Sequence, residues 1–276
     1  MRPGRGKFVA AFAIAGIACR VECEEEAFRD LVSSRYAEFA SAAPPEIFLR
    51  VEVTATRMED VAARWSGPFA RVGGRDGILA VEGAGFSASF DERSGRGWIT
   101  QPLDLAPFDT FVTAIYAGRL LRAGGFFLHA AAVVAAGEAQ VFFGPSGSGK
   151  TTVAELVGEG VISDEIVAIR RDGDRYRVFG VPWRGRRLSA PLGGLFRLRK
   201  GQGTSFTSLT PVETVRQLLP SVFFSAADSE EVGRFLEIAG ELLRTVPGYD
   251  MQFALDRSFW ETLSRRGKGE NLGHSI

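Results

Sequence analysis

The run Gly144-Pro145-Ser146-Gly147-Ser148-Gly149-Lys150-Thr151-Thr152 constrains this chain more than any other stretch. It fits the spacing G-x-x-x-x-G-K-[ST], in which glycines let successive backbone N–H groups turn inward around phosphate oxygens. The flanks fit as well. Glu138-Ala139-Gln140-Val141-Phe142-Phe143 reads as a short buried strand, and Thr151 to Val157 has the composition of a helix start. Strand, glycine loop and helix is the order such a loop requires, and the helix N-terminus adds partial positive charge beside the anion. Gly144, Ser146, Gly147, Ser148, Gly149, Lys150, Thr151 and Thr152 are therefore the candidate nucleotide-binding residues. In that role Lys150 reaches the β- and γ-phosphates and the Thr151 hydroxyl ligates Mg²⁺, so ATP and Mg²⁺ are the expected ligands.

Composition adds exclusions. With 33 basic and 33 acidic side chains the formal net charge is zero, which gives no electrostatic case for nucleic acid or an anionic membrane as partner. Cys19 and Cys23 lie four apart in an otherwise cysteine-free chain, and no further Cys or His pair completes a zinc set. Reduced thiols are the expectation. The 22 phenylalanines should dominate the core. Arg2, Arg5 and Lys7 ahead of an apolar run from Phe8 to Cys19 resemble a secretory leader. The alternation that returns through Arg20-Val21-Glu22-Cys23 favours a strand pair instead, and dependence on nucleotide points to the cytoplasm.

Taken in order, residues 7–23 read as a bent strand or hairpin and Glu24 to Ala42 as an amphipathic helix stopped by Pro44-Pro45. Strict alternation over Ile47–Val53, and short candidates near Phe69–Val72, Ile78–Val81 and Phe86–Phe90, predict an antiparallel sheet carrying one helix over residues 1–100. That layer is expected to be a separate docking or recognition domain. Residues 101–265 form the second domain, opening on a helix from Ala106 to Arg122, and 266–276 form a polar tail. Within the second domain, Asp172-Gly173-Asp174 marks a hairpin, and Leu195–Leu198 and Met251–Leu255 read as strands. Thr210-Pro211-Val212-Glu213 is a capping box with proline at the first helical position. Further helices are expected from Asp228 and from Asp256. The fold class is mixed α/β.

A phosphate loop alone says nucleoside triphosphate and no more. Here Asp164-Glu165 closes the next apolar run, fourteen residues beyond Lys150, which puts two carboxylates at a strand's carboxyl edge near the loop. There they can meet Mg²⁺ and an attacking hydroxyl. The L-S-G-G-Q and N-K-x-D signatures of other P-loop classes are absent. His129 sits on the strand before the loop strand, where a satisfied core histidine and a site residue are both open readings. Arg184, in Trp183-Arg184-Gly185-Arg186, is either an exposed basic loop residue or a partner for phosphoryl charge.

Phe127-Leu128-His129-Ala130, the glycine loop through Thr151, and Ile162-Ser163-Asp164-Glu165 together resemble HPr kinase/phosphorylase. The resemblance, which covers residues 126–185, extends to smaller HPr-kinase-like proteins, some of which serve peptide-modifying gene clusters. It implies a P-loop kinase core related to phosphoenolpyruvate carboxykinase, and phosphate transfer to a serine hydroxyl. By position it implies Lys150 on the phosphates, Thr151 on Mg²⁺, Asp164 as the base towards the acceptor, Glu165 near the metal and His129 beside the active site. The family has two aspartates where this chain has Asp164 and Glu165, and its loop-to-acid spacing is about three residues longer. The expected catalytic residues are thus Asp164, Lys150 and His129, and the expected metal ligands Thr151, Asp164 and Glu165. The expected acceptor is a serine of a peptide or small protein, such as a biosynthetic precursor peptide, and a homo-oligomer is left open. A small-metabolite kinase and a nucleotide-binding regulatory module without transfer are the alternatives.

Overall fold

A computed structural model describes residues 8–55, 69–225 and 229–253, together with Phe259, Trp260 and Leu263. The chain divides into two compact units. One holds the residues up to Arg119 with Phe224 and Ser225; the other holds Leu120–Phe223 and the residues from Ser229 onward.

The first unit is built on a seven-stranded sheet. β1 (Phe8–Ile14) and β2 (Ile17–Cys23) form a hairpin. Ala15 and Gly16 turn it with φ of 48° and 81°, the two-residue geometry whose twist matches the strands. Cys19 and Cys23 are free and buried on β2, and burial pushes the Cys19 thiol far above its usual range. α1 (Glu26–Arg35) follows, shorter than the periodicity predicts. It gives way to Tyr36, which stacks on Phe12 at 4.2 Å and donates its hydroxyl to Asp109 at 2.7 Å.

β3 (Ile47–Val53), β4 (Ala70–Arg75), β5 (Ile78–Gly83), β6 (Phe86–Asp91) and β7 (Arg96–Gln101) complete the sheet in the order β1-β2-β3-β7-β6-β5-β4. The antiparallel sheet expected from the sequence is corrected here: β2–β3 and β3–β7 pair in parallel. The reason is the crossover. A helix between β2 and β3 returns the chain to the end from which β2 began. α2 (Leu105–Arg122) starts in this unit, with Phe108 edge-on to Phe28 and the Tyr116 hydroxyl on the Ile17 carbonyl at 3.0 Å.

In the second unit β8 (Gly125–Ala135) is the spine. One edge takes β10 (Val161–Ser163) and β11 (Ile166–Asp172), the other β9 (Glu138–Phe143) and the short β15 (Val222–Phe223). β12 (Arg175–Phe179) forms the expected hairpin with β11, turning at Gly173 with φ 65°. β13 (Ser189–Lys200) leaves β12 and then runs parallel to both β9 and β16 (Gly248–Phe253), and β14 (Ser205–Leu209) closes the edge. The pairings β8–β9–β13–β12–β11 return to β8, because the two long strands each change partner midway. In β13 the change falls at Gly193, where the register to β9 slips by one residue; a Cβ there would meet Gln140 and Glu138 at 2.7 Å.

α3 (Lys150–Val157) covers this sheet through Val153 and Val157, over a stack of Phe142, Phe196 and Tyr249 with ring centres 5.4 and 5.3 Å apart. α4 (Pro211–Leu218) starts on the predicted capping box, and α5 (Ser229–Leu242) buries Phe235 and Leu242. The helix start at Asp256, the leader-like residues 1–7 and the tail 266–276 lie outside the described residues. No helix among the described residues is long and apolar enough to cross a membrane.

Candidate functional site

The glycine loop leaves β9 at Gly144 and enters α3 at Lys150, so strand, loop and helix follow as the motif requires. Gly144, Gly147 and Gly149 have φ of 149°, 77° and 108°, all in the region that L side chains avoid. Their surroundings differ. A Cβ on Gly149 would strike the Phe253 ring at 2.7 Å, so that glycine seats the helix start on the core. A Cβ on Gly147 would meet nothing within 4 Å, which leaves bare backbone beside an open cleft. Pro145 accepts from the Ser148 N–H at 3.1 Å, while the buried Ser148 hydroxyl has no partner among the described residues.

Lys150 is 7% exposed and donates its ammonium to the carbonyls of Gly144 at 2.9 Å and Pro145 at 3.2 Å. The side chain thus clasps the start of the loop from its far end, and burial holds its pKa below the usual lysine range.

Sheet order carries the acids to the same place. β9 and β10 both run antiparallel to β8, so they point the same way and end at the same edge. β10 is separated from the loop strand by β8, rather than beside it. On β8 the residue opposite Phe143 is Ala130, and the one opposite Ile166 is its neighbour His129. His129 therefore stands between the loop and the acidic turn.

That turn is tied by Ser163, which is 1% exposed. Its hydroxyl accepts from the N–H groups of Glu165 and Ile166, both at 3.2 Å, and donates to the Arg184 carbonyl at 3.4 Å. The Ala130 N–H binds the Glu165 carbonyl at 3.0 Å. The Arg184 guanidinium pairs with the Glu165 carboxylate at 2.8 Å. Both side chains of that pair are substantially exposed, so the contact is worth at most about 1 kcal/mol.

His129, Ser146, Gly147, Gly149, Lys150, Thr151, Thr152, Asp164 and Glu165 line one cleft of about 410 Å³, within the range of small-ligand sites. Gly144 and Ser148 lie in the loop behind it. Burial first, then the Lys150 charge, hold the His129 imidazole below its usual pKa, against the Glu165 carboxylate, which raises it. A neutral imidazole is favoured.

Thr151, Asp164 and Glu165 offer a hydroxyl and two carboxylates, the hard oxygen set that Mg²⁺ accepts alongside phosphate and water. Among the described residues no three or more His, Cys, Asp or Glu side chains are placed to hold a metal ion by themselves, so such an ion would lean on phosphate oxygens rather than an all-protein cage.

Two lining residues carried weak or no sequence signal. Arg184 was legible from sequence as either an exposed basic loop residue or a partner for phosphoryl charge, with nothing to choose between the two. Lys200, at the end of β13, gave none, because its place follows from the parallel pairing of β13 with the loop strand. No protein-family model matches this chain, and no curated protein matches it.

Proposed function

We propose that this chain is an ATP-dependent kinase that passes the γ-phosphate to a hydroxyl, that of a serine in a peptide or small protein. The observation that carries the reading is the convergence of the glycine loop, His129 and the Asp164–Glu165 turn on one cleft. Lys150, Lys200 and the N-terminus of α3 set positive charge against the triphosphate, and the open backbone at Gly147 allows close approach. Asp164 accepts the proton as the acceptor oxygen bonds the γ-phosphorus and the bond to the bridging oxygen breaks, releasing the nucleoside diphosphate. His129, neutral and beside the turn, offers a hydrogen bond to orient the acceptor. Mg²⁺ held by Thr151, Asp164 and Glu165 would neutralise phosphate charge. The cleft is open rather than enclosed, which suits a peptide better than a polyol, since a polyol wants a closed pocket.

The test separates transfer from binding. Asp164→Asn is expected to keep the affinity for an ATP analogue by calorimetry while losing about 10²–10⁴ of the transfer rate to a serine-containing peptide. Tight ATP binding by the wild type with transfer to no acceptor would instead establish the nucleotide-binding regulatory module.

A further inference from the structure

The outward face of the sheet in the first unit departs from the plain polar surface of a half-buried sheet. Across β2, β3 and β7 the pairings set Arg20, Phe48 and Arg96 in one row and Glu22, Arg50 and Trp98 in the next. Between the two rows lie Val21, Leu49 and Gly97; the Val21 and Leu49 side chains are buried on the opposite face. The two rows line a cleft of about 400 Å³. Trp98 is 49% exposed, an aromatic area that the sheet's own packing does not use. The Arg96 guanidinium lies 5.0 Å over the Phe48 ring, an arrangement that orders the side chain and keeps its charge outward.

The charges in this cleft do not balance. Glu22 is its one carboxylate, and Arg20 holds it at 3.4 Å. Asp91 stands opposite Arg96 on β6, but its oxygens accept from the Arg93 N–H at 2.9 Å and the Ser94 hydroxyl at 2.8 Å. Among the described residues neither Arg50 nor Arg96 makes an ion pair.

We propose that this face docks an extended acidic peptide segment with an aromatic side chain among its carboxylates. Guanidinium forks match carboxylates in two-point geometry, and the Trp98 and Phe48 rings give an aromatic residue a place to stack. An extended chain projects one face's side chains about 6.8 Å apart, the interval that separates the two rows along their strands. A nucleic-acid strand fits less well. It wants a long basic groove, whereas this cleft holds three arginines with Glu22 inside and Glu52 at its border. The inference does not rest on phosphate transfer.

The experiment is fluorescence anisotropy on the full chain with a labelled peptide of Asp and Glu residues around one Phe. Saturable binding that weakens with salt is expected, as surface charge pairs are screened. Affinity should fall about tenfold in Arg50→Gln/Arg96→Gln. Trp98→Ala should weaken binding without altering charge. Arg75→Gln, on β4 with its side chain 92% exposed, should bind as wild type. Arg50 and Arg96 are both exposed, so the double variant should keep the wild-type melting transition. Equal binding of the same peptide in its Asn/Gln form, tighter binding of a thymidine oligonucleotide, or self-association of the chain that the double variant abolishes would each overturn the proposal.

Discussion

Lys150 has a structural task and a charge task in one side chain. Its ammonium closes the loop by binding the Gly144 and Pro145 carbonyls, and it is the buried cation of the cleft. Replacing it with alanine leaves both carbonyls without that donor and removes the charge that a triphosphate would meet. Hydrogen bonds to a charged group are worth about 1.5–3 kcal/mol. Lys150→Ala should therefore weaken an ATP analogue at least about tenfold, in both binding and turnover. Lys150→Arg should not restore it, since the wide planar fork does not fit a site that is 7% exposed. Unchanged affinity by calorimetry would mean that nucleotide binds elsewhere. The same scale explains why the loop was legible from sequence. Every group that shapes it, from Gly144 to Lys150, lies within seven consecutive residues, and the strain of positive φ is met by glycine where it arises.

At the scale of elements, α4 shows how a local signature carries into structure. The Thr210 hydroxyl accepts from the Glu213 N–H at 3.3 Å, and the Glu213 carboxylate accepts from the Thr210 N–H at 2.8 Å and its hydroxyl at 2.7 Å. Those two bonds from Thr210 hold the Glu213 carboxyl below its usual range. The folded state thus favours the ionised form. Its contribution is present above the unfolded glutamate value and is lost as pH falls through the lower folded value. Thr210→Ala should cost about 1 kcal/mol in urea unfolding at neutral pH, and less of that difference should remain in acid. A variant as stable as wild type at neutral pH would remove the cap from the account. Elements whose partners lie far along the chain were harder to read. β9 was found with its observed bounds from its apolar run, whereas β13 was legible only over Leu195–Leu198 of its twelve residues. Its first half pairs with β12 and its second with β9, so no single period marks it. β7 went unread because Arg96-Gly97-Trp98 lacks strand alternation by hydrophobicity, the same composition that makes its outer face unusual. The convergence of His129 on the acidic turn depends on β8 pairing at both edges, which no short window of sequence holds.

For the whole molecule, the decisive residues are those of α2. Sequence reading assigns this helix to the second domain, with a boundary near residue 100, because it follows the last strand of the sheet and precedes the loop strand. Its described residues through Arg119 belong to the first unit instead. Phe108 meets Phe28 and Tyr36, Asp109 accepts from the Tyr36 hydroxyl, Tyr116 reaches the Ile17 carbonyl, and Arg119 pairs with Glu92 at 3.2 Å. A fragment spanning residues 101–276 keeps the glycine loop and the acidic turn but strips α2 of all these partners. Phe108, Phe111 and Tyr116, each fully buried in the intact chain, would then face water. Exposing each such side chain costs about 1.5–3 kcal/mol, and together they form a contiguous apolar stripe. The fragment should aggregate on expression. Residues 1–122, which retain the sheet with α1 and α2, should instead stay in solution and melt cooperatively. Size-exclusion chromatography and calorimetry on the two fragments decide it. A monomeric 101–276 that binds an ATP analogue as tightly as the full chain would show that α2 does not need its sheet, and that the boundary near residue 100 is the physical one.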